Sequence, residues 1–174
     1  MMIELERTFL LKKVPSGLKN CKSKEIIDIY IPKEYAHPKL RIRKNGEKYE
    51  ITKKEPAFEG DFSKFIEQTI LLKEKEFLAL SHINGKKVHK IRYFYDYKSY
   101  VAEIDVFLGD LKGLIIADFE FKNEEEENSF VIPDFCLADV THEEFIAGGF
   151  ICGKSYEDIE ENLKRYNYVR LSLD

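Results

Sequence analysis

Apolar and polar residues alternate with a period of two through most of this chain. In the opening segment Glu4 and Glu6 alternate with Ile3 and Leu5, and successive side chains of a strand point to opposite faces. The pattern predicts eight strands, over residues 2–12, 26–32, 39–44, 48–54, 63–72, 86–95, 99–108 and 113–122.

Other segments depart from this period. Residues 73–83 repeat apolar positions at the spacing of one helix face. Residues 141–147 and 155–167 predict a helical tail, and the acidic run 124–127 predicts a solvated loop. Eight strands at hairpin spacing favour antiparallel pairing and closure into a barrel, which leaves no exposed sheet edge. The predicted fold class is α+β, an eight-stranded antiparallel β-barrel with flanking and C-terminal helices.

Charged residues occur in pairs, two positions apart, on five of these strands. Each pair lies on one strand face, and the apolar residues between them, such as Ile42 and Phe119, lie on the other. For a single pair a solvent-exposed row is the simpler interpretation, because charged side chains usually lie outside. Five pairs together instead predict charges that line a lumen and apolar residues that pack outward. The pairs are Glu4 and Glu6, Arg41 and Arg43, Lys90 and Arg92, Glu103 and Asp105, and Asp118 and Glu120.

Composition narrows the class of protein. The 174 residues suit one domain, and 44% hydrophobic residues are enough to bury a core. The net charge of -4 argues against a nucleic-acid binder with a broad basic surface. No apolar run reaches the length of about 18 residues that predicts a membrane span, and no signal peptide pattern is visible. Three cysteines without metal-site spacing fit reduced thiols, so a cytoplasmic protein is expected.

Six charged segments follow one another along the chain. They are Glu4-Leu5-Glu6-Arg7-Thr8, Leu40-Arg41-Ile42-Arg43, Ile51-Thr52-Lys53-Lys54, Lys90-Ile91-Arg92, Glu103-Ile104-Asp105-Val106-Phe107 and Asp118-Phe119-Glu120-Phe121. In this order they resemble the motifs of the CYTH superfamily, which includes the triphosphate tunnel metalloenzymes. Each pair alone is a weak signal, whereas six in order at barrel spacing are a strong one. The resemblance extends over nearly the whole chain and implies a single CYTH-like domain over residues 1–174.

The resemblance implies that the barrel is a triphosphate tunnel, which binds a small triphosphate substrate with Mg²⁺ or Mn²⁺. The implied activity is metal-dependent hydrolysis of the terminal phosphate of inorganic triphosphate or a small organic triphosphate. A class IV-type adenylate cyclase and a non-catalytic polyphosphate- or nucleotide-binding module are the alternatives. No nucleic-acid or membrane partner is expected, and the protein is expected to be a monomer or a homodimer.

The chemistry implied for the lumen follows residue type. Guanidinium groups supply planar paired donors and ammonium groups a compact charge, so the basic residues are expected to bind phosphate oxygens. These are Arg41, Arg43, Lys54, Lys90 and Arg92. Carboxylates bind hard cations, although Mg²⁺ keeps several waters and takes only a few of them. The expected metal ligands come from Glu103, Asp105, Asp118, Glu120, Glu4 and Glu6, and either Glu4 or Glu6 is expected to direct the attacking water as the catalytic residue.

The chain departs from the family at Thr8. The family opens with Glu-x-Glu-x-Lys, and Thr8 stands at the position of that lysine. Arg7 does not replace the lysine, because neighbouring residues of a strand point to opposite faces. The lost cation is the feature that motivates the alternative of a binding module.

Overall fold

The computed structural model of the chain describes residues 3–58 and 61–173, with the side chains of residues 3, 4 and 61–63 outside this description. The described strands are β1 (Ile3–Leu11), β2 (Ser23–Ile31), β3 (Leu40–Asn45), β4 (Lys48–Phe58), β5 (Asp61–Leu72), β6 (Lys86–Tyr97), β7 (Tyr100–Phe107), β8 (Ile115–Phe121) and β9 (Cys136–Asp139). The eight predicted strands are confirmed. The short strand β9 is an addition that the sequence pattern did not predict.

The strands close into an antiparallel barrel. Their order is β5-β4-β3-β2-β6-β7-β8-β1-β9, and a further pairing between β5 and β1 joins the two sides of the eight-stranded sheet. β1 pairs with β5 at its beginning, with β8 along most of its length and with β9 at its end. This closure confirms the predicted α+β barrel and gives each strand one face toward the lumen.

Helices lie outside the barrel. α1 (Glu74–Leu80) confirms the helix predicted over residues 73–83, and α4 (Tyr156–Lys164) confirms the second part of the predicted tail. The first part of that tail contains a 3₁₀ turn at Glu144–Ile146, followed by the short α3 (Gly148–Ile151). None of the helices within residues 3–58 and 61–173 combines the length and apolar character needed to cross a membrane.

The prediction of a loop for the acidic run 124–127 is wrong. These residues begin α2 (Glu124–Ser129), and the side chain of Asn123 caps it by accepting a hydrogen bond of 2.9 Å from the backbone N–H of Glu126. A side-chain cap satisfies one of the free N–H groups of a helix start, and acidic residues in the first turn interact favourably with the helix dipole. The same acidic residues that suggest a solvated loop therefore stabilise an exposed helix.

The hydrophobic core lies between the barrel and the elements around it. Ile42, Ile104 and Phe119 are fully buried on the outer faces of their strands. Phe77 of α1 packs against Ile42, and the segment that follows α2 covers the outer faces of β1, β7 and β8. This confirms that apolar residues pack outward, and it leaves the lumen to polar side chains.

Candidate active site

The barrel encloses a cavity of about 350 Å³ with a highly charged wall. The basic residues of the wall are Lys39, Arg41, Arg43, Lys54, Lys90 and Arg92. Its acidic residues are Glu6, Asp28, Glu50, Glu67, Glu103, Asp118, Glu120 and Glu143. Acidic residues outnumber basic ones, so a polyanion entering this cavity would be accommodated best together with cations.

The structure brings most of the predicted site residues together on this wall. Glu4 lies on β1 opposite Phe65 of β5, and its side chain is outside the described residues. Asp105 does not line the cavity and lies behind it. The predicted residues that line the cavity are Glu6, Arg41, Arg43, Lys54, Lys90, Arg92, Glu103, Asp118 and Glu120.

Arg43 is fixed by Asp28, a residue that the sequence pattern missed. The Arg43 Nε and Nη2 atoms donate hydrogen bonds of 2.6 and 2.8 Å to the two carboxylate oxygens of Asp28. Burial opposes ionisation of Asp28, but the charge and hydrogen bonds of Arg43 outweigh it and lower the pKa of Asp28 to about 2. The only sequence signal for Asp28 is that an acidic residue stands at a lumen-facing position of an apolar strand.

A second buried carboxylate, Asp105, fixes Arg92 and Lys90. Arg92 Nε and Nη2 donate hydrogen bonds of 2.7 and 2.8 Å to its two oxygens, and Lys90 donates a further one. Burial raises the pKa of Asp105, but the charges of Arg92 and Lys90 lower it well below its usual value. Arg92 also donates to Glu103 on the same strand as Asp105. Asp105 thus holds two cations from behind the cavity wall.

Arg41 differs from these cations because its hydrogen-bond partner is neutral. Its Nη1 atom donates to the hydroxyl of Tyr30 at 3.2 Å. The nearest carboxylates are farther away, with Arg41 Nη2 at 3.6 Å from Glu67 and Nε at 4.0 Å from Asp28. Within the described part of the chain the Nε atom is buried and has no hydrogen-bond partner. The Arg41 side chain lines the cavity, and its Nη2 group makes no hydrogen bond to another described residue, so this group can donate to an anion there.

Two further lysines, one on the cavity wall and one on β2, have distinct settings. Lys54 donates hydrogen bonds of 3.0 and 2.9 Å to both oxygens of Glu6, across the barrel from β4 to β1. Lys24, which the sequence pattern missed, stands opposite Arg92 in the register of β2 and β6. Burial and the charge of Arg92 lower the pKa of Lys24. Its sequence signal was lost because the predicted strand began at residue 26.

The acidic side of the wall is formed by β1, β8 and β7. Glu6 faces Glu120, and Asp118 stands between Thr8 and Glu103 in the strand register. The Thr8 hydroxyl donates a hydrogen bond of 2.7 Å to Asp118.

Asp118 has an unusual pKa for a carboxyl group. Burial, followed by the negative charges of Glu6 and Asp105, raises the pKa of Asp118 to about 7. A cation beside Asp118 would relieve this repulsion, as metal ions do at carboxylate sites. Among residues 3–58 and 61–173, however, no group of three or more His, Cys, Asp or Glu residues is already arranged to hold a metal ion.

One end of the cavity is lined by the C-terminal part of the chain. Ile146, Gly148, Gly149 and Ile151 contribute to it, beside the apolar side chain of Phe107. Thr141 connects this segment to β1, because its hydroxyl accepts a hydrogen bond of 3.1 Å from the backbone N–H of Thr8. The segments after β8 therefore shape the site as well as the outer core.

A closed antiparallel barrel with a lumen of paired acids and bases is the architecture of the CYTH domain. The chain belongs to the CYTH domain family, whose model matches residues 2–132. It is 29% identical over 144 residues to an inorganic triphosphatase of Nitrosomonas europaea, and the match covers 82% of this chain and 91% of that protein.

Solved structures share the fold at lower identity. The crystal structure of an inorganic triphosphatase superposes with a TM-score of 0.65 at 24% identity and covers 88% of this chain and 97% of that one. A Bacillus halodurans protein proposed to be an adenylate cyclase superposes with a TM-score of 0.55 at 17% identity and covers 100% of this chain and 96% of that one. At these identities the likeness is one of fold, so the activity has to be argued from the site.

Proposed function

We propose that this protein hydrolyses the terminal phosphate of inorganic triphosphate or of a small organic triphosphate, with Mg²⁺ or Mn²⁺ as cofactor. The observation that carries the proposal is Arg41, which lines the cavity with an Nη2 group that makes no hydrogen bond to another described residue, in a lumen where other cations are anchored by carboxylates. The 29% identity to an inorganic triphosphatase supports the same activity.

The basic residues are proposed to bind the phosphate oxygens. Arg43 uses two N–H donors on Asp28, and a guanidinium group has five, so donors remain for a ligand. Lys54, Lys90, Arg92 and Arg41 complete the proposed set. Asp105 is enclosed by Lys90 and Arg92, so we assign it the positioning of these two cations instead of a direct bond to a metal.

The acidic side of the wall fits a divalent cation. Its carboxylates are the donors that Mg²⁺ and Mn²⁺ prefer, and the raised pKa of Asp118 reflects a surplus of negative charge that a cation would offset. When bound, such a cation would neutralise triphosphate charge and polarise the reacting phosphoryl group. The residues proposed to hold it are Glu6, Glu103, Asp118 and Glu120, together with Glu4.

The proposed reaction is in-line attack of water on the terminal phosphorus. Glu6, held through both oxygens by Lys54, is proposed to orient the water and accept its proton, with Glu4 as the neighbouring candidate for this role. A new P–O bond to the water oxygen forms while the bridging P–O bond breaks, and its electron pair leaves with the diphosphate. Arg41 and Arg92 stabilise the negative charge that develops on the phosphate oxygens.

Phosphorus NMR of the products tests this proposal. The purified protein is incubated with Mg²⁺ or Mn²⁺ and with tripolyphosphate, ATP or thiamine triphosphate, and Glu6→Gln serves as the control against a contaminating phosphatase. We expect orthophosphate and a diphosphate from the wild-type protein and little from the variant. Cyclic AMP and pyrophosphate from ATP would instead identify a cyclase.

A non-catalytic binding module is the second candidate, because Thr8 replaces the lysine of the family motif. At this position a hydroxyl group, and not an ammonium group, contacts Asp118. Unchanged substrate signals that broaden only when protein and metal are both present would favour this candidate over hydrolysis.

A further inference from the structure

One end of the lumen has an apolar floor. Five apolar side chains line the cavity at this end and also belong to one buried core cluster, with exposed fractions between 1% and 6%. They are Val88, Phe107, Ile116, Ile146 and Ile151. Burying a charged group against apolar side chains is costly when no hydrogen bond compensates. A polyanion in the lumen therefore has no passage through this floor.

The loop between β2 and β3 closes the same end beside the floor. His37 and Pro38 of this loop line the cavity, and so does Gly149 of the C-terminal segment. A Cβ atom built on Gly149 would overlap the carbonyl oxygen of Pro38 and would lie 2.6 Å from Cδ2 of His37. The His37 Nδ1 atom also lies 3.2 Å from a carboxylate oxygen of Glu144. The loop and the C-terminal segment are therefore in direct contact.

The opposite end of the lumen continues outward. Glu103 and Glu120 line both the main cavity and a second cavity of about 230 Å³. Glu103 lies four residues before Phe107 on β7, and Glu120 lies four residues after Ile116 on β8. Each glutamate is therefore about 13 Å along its strand from the apolar floor. The two ends of the lumen differ in both chemistry and closure.

Cations stand on the lumen wall close to the floor. Lys39 follows Pro38 in the chain, and its side chain lines the cavity. Arg41 lines the cavity two residues further on, and the backbone N–H of Lys54 donates a hydrogen bond of 3.2 Å to the carbonyl of Lys39. The end group of a triphosphate carries more negative charge than its inner phosphates. These cations therefore suit an uncapped terminal phosphate.

We propose that the lumen is one-ended for its substrate, which enters with an uncapped terminal phosphate facing the apolar floor. The inference rests on the proposed function, because it concerns a triphosphate in the same lumen. An organic group on the other terminal phosphate remains at the end lined by Glu103 and Glu120. The substrate class is then tripolyphosphate and triphosphate monoesters. Triphosphates that carry an ester group on both ends are excluded.

Methyl esters of tripolyphosphate test this inference, because each cap adds one methyl group and removes one negative charge. If the two ends of the lumen were equivalent, the second cap would weaken binding by about the same factor as the first. We expect the first cap to raise the Kd by less than about tenfold and the second by about 100-fold, since a filled apolar pocket rejects one extra methyl group by about 10–200-fold. Calorimetric titration in metal-free buffer measures this binding without turnover.

Ile146→Ala tests whether the floor causes the difference between the two caps. The variant shortens a floor side chain and leaves room for a methyl group beside the lumen. The Kd of the dimethyl ester should fall about tenfold, while the Kd of the monomethyl ester stays within about threefold. Ile159→Ala is the matched control, because Ile159 is fully buried in the same core cluster but does not line the cavity. Should Ile146→Ala fail to fold in circular dichroism, Val88→Ala shortens another floor residue and replaces it.

The outcomes separate this inference from the proposed function. If the wild-type protein neither binds nor hydrolyses tripolyphosphate, both are wrong. If it hydrolyses tripolyphosphate and the second cap raises the Kd no more than the first, only the one-ended lumen is wrong. The one-ended lumen is also wrong if a folded floor variant recovers no affinity for the dimethyl ester, because the lost charge would then explain the weak binding.

Discussion

Arg41 and Arg43 lie two residues apart on β3 and face the same cavity, yet their partners differ. In the strand register Arg43 stands opposite Asp28 and Arg41 opposite Tyr30. Arg43 forms a paired ion bridge with a buried carboxylate, whereas Arg41 donates to a neutral phenol and keeps a buried N–H without a partner among the described residues. The two cations of this sequence motif thus differ in their partners: Arg43 is held by a buried carboxylate, and Arg41 is the one proposed to bind the ligand.

The acidic residues Asp105 and Asp118 show the same division. Arg92 and Lys90 overcome the effect of burial and lower the pKa of Asp105, whereas burial and nearby carboxylates raise the pKa of Asp118 to about 7. Asp105 is neutralised by the protein itself. Asp118 is the carboxylate that would gain most from an added cation.

The largest expected effect is on stability, from Arg43→Met. The variant leaves Asp28 buried without the arginine that donates two hydrogen bonds to it, and breaking a buried pair in this way costs about 3–5 kcal/mol. Urea unfolding should show the loss in the free energy of unfolding. Adding Asp28→Leu should recover part of it, because no uncompensated charge then remains. A loss no larger than that of Arg41→Met would contradict the division between the two arginines.

Arg41→Met should weaken ligand binding more than it weakens stability. The carboxylates nearest to Arg41 lie at 3.6 and 4.0 Å, and Asp28 keeps its two hydrogen bonds from Arg43, so the free energy of unfolding should fall by less than in Arg43→Met. Affinity for tripolyphosphate should fall about 100-fold, since an arginine–phosphate contact is charge-assisted and paired. Calorimetric titration in the presence of Mg²⁺ measures the affinity. If this variant unfolds while Arg43→Met stays folded, the division of roles between Arg41 and Arg43 is wrong.

Asp118→Asn tests the raised pKa of Asp118 through the pH dependence of stability. The folded state raises the pKa of Asp118 from 3.8 to about 7, so this group lowers stability progressively as pH rises across that interval. In metal-free buffer, the stability of the variant relative to wild type should therefore increase by about 2–4 kcal/mol from pH 4 to pH 8. Urea unfolding at both pH values provides the measurement, and a pH-independent difference would contradict the assigned pKa.

The smallest effect is expected from Thr8→Lys, which restores the family lysine beside Asp118. An added ammonium group should lower the pKa of Asp118 and raise turnover of tripolyphosphate by about threefold, a change of less than about 1 kcal/mol. Thr8→Val is the control that removes the hydroxyl without adding charge. Turnover unchanged in Thr8→Lys would mean that another cation of the lumen already serves at this position.

The sequence predicted the barrel and the charged lumen because alternation fixes which face each residue occupies. It did not predict which residues pair across strands, because a register shift of two residues preserves every face. Asp28 and Tyr30 acquire their roles only from the register of β2 against β3. Tyr30 in particular has the pattern of an ordinary core residue, and its contact with Gly148 joins segments more than a hundred positions apart.

The short helix α2 and the short strand β9 were less predictable, because each depends on a few local hydrogen bonds. Whether the run 124–127 becomes a loop or a helix depends on the cap from Asn123, which is a single hydrogen bond. The short strand β9 depends on its pairing with the end of β1, and four residues carry too little alternation to reveal it. The identity of the metal ligands, including Glu4, remains a proposal that these patterns motivate.

The rate of orthophosphate release from tripolyphosphate and Mg²⁺ tests most directly whether Arg41 is the lumen arginine available to triphosphate. Phosphorus NMR compares the wild-type protein with Arg41→Met at equal folded concentration. We expect the variant to have a urea midpoint close to that of wild type and a kcat/KM lower by about 100-fold. A folded variant that releases orthophosphate within about twofold of the wild-type rate would show that Arg41 does not have this role.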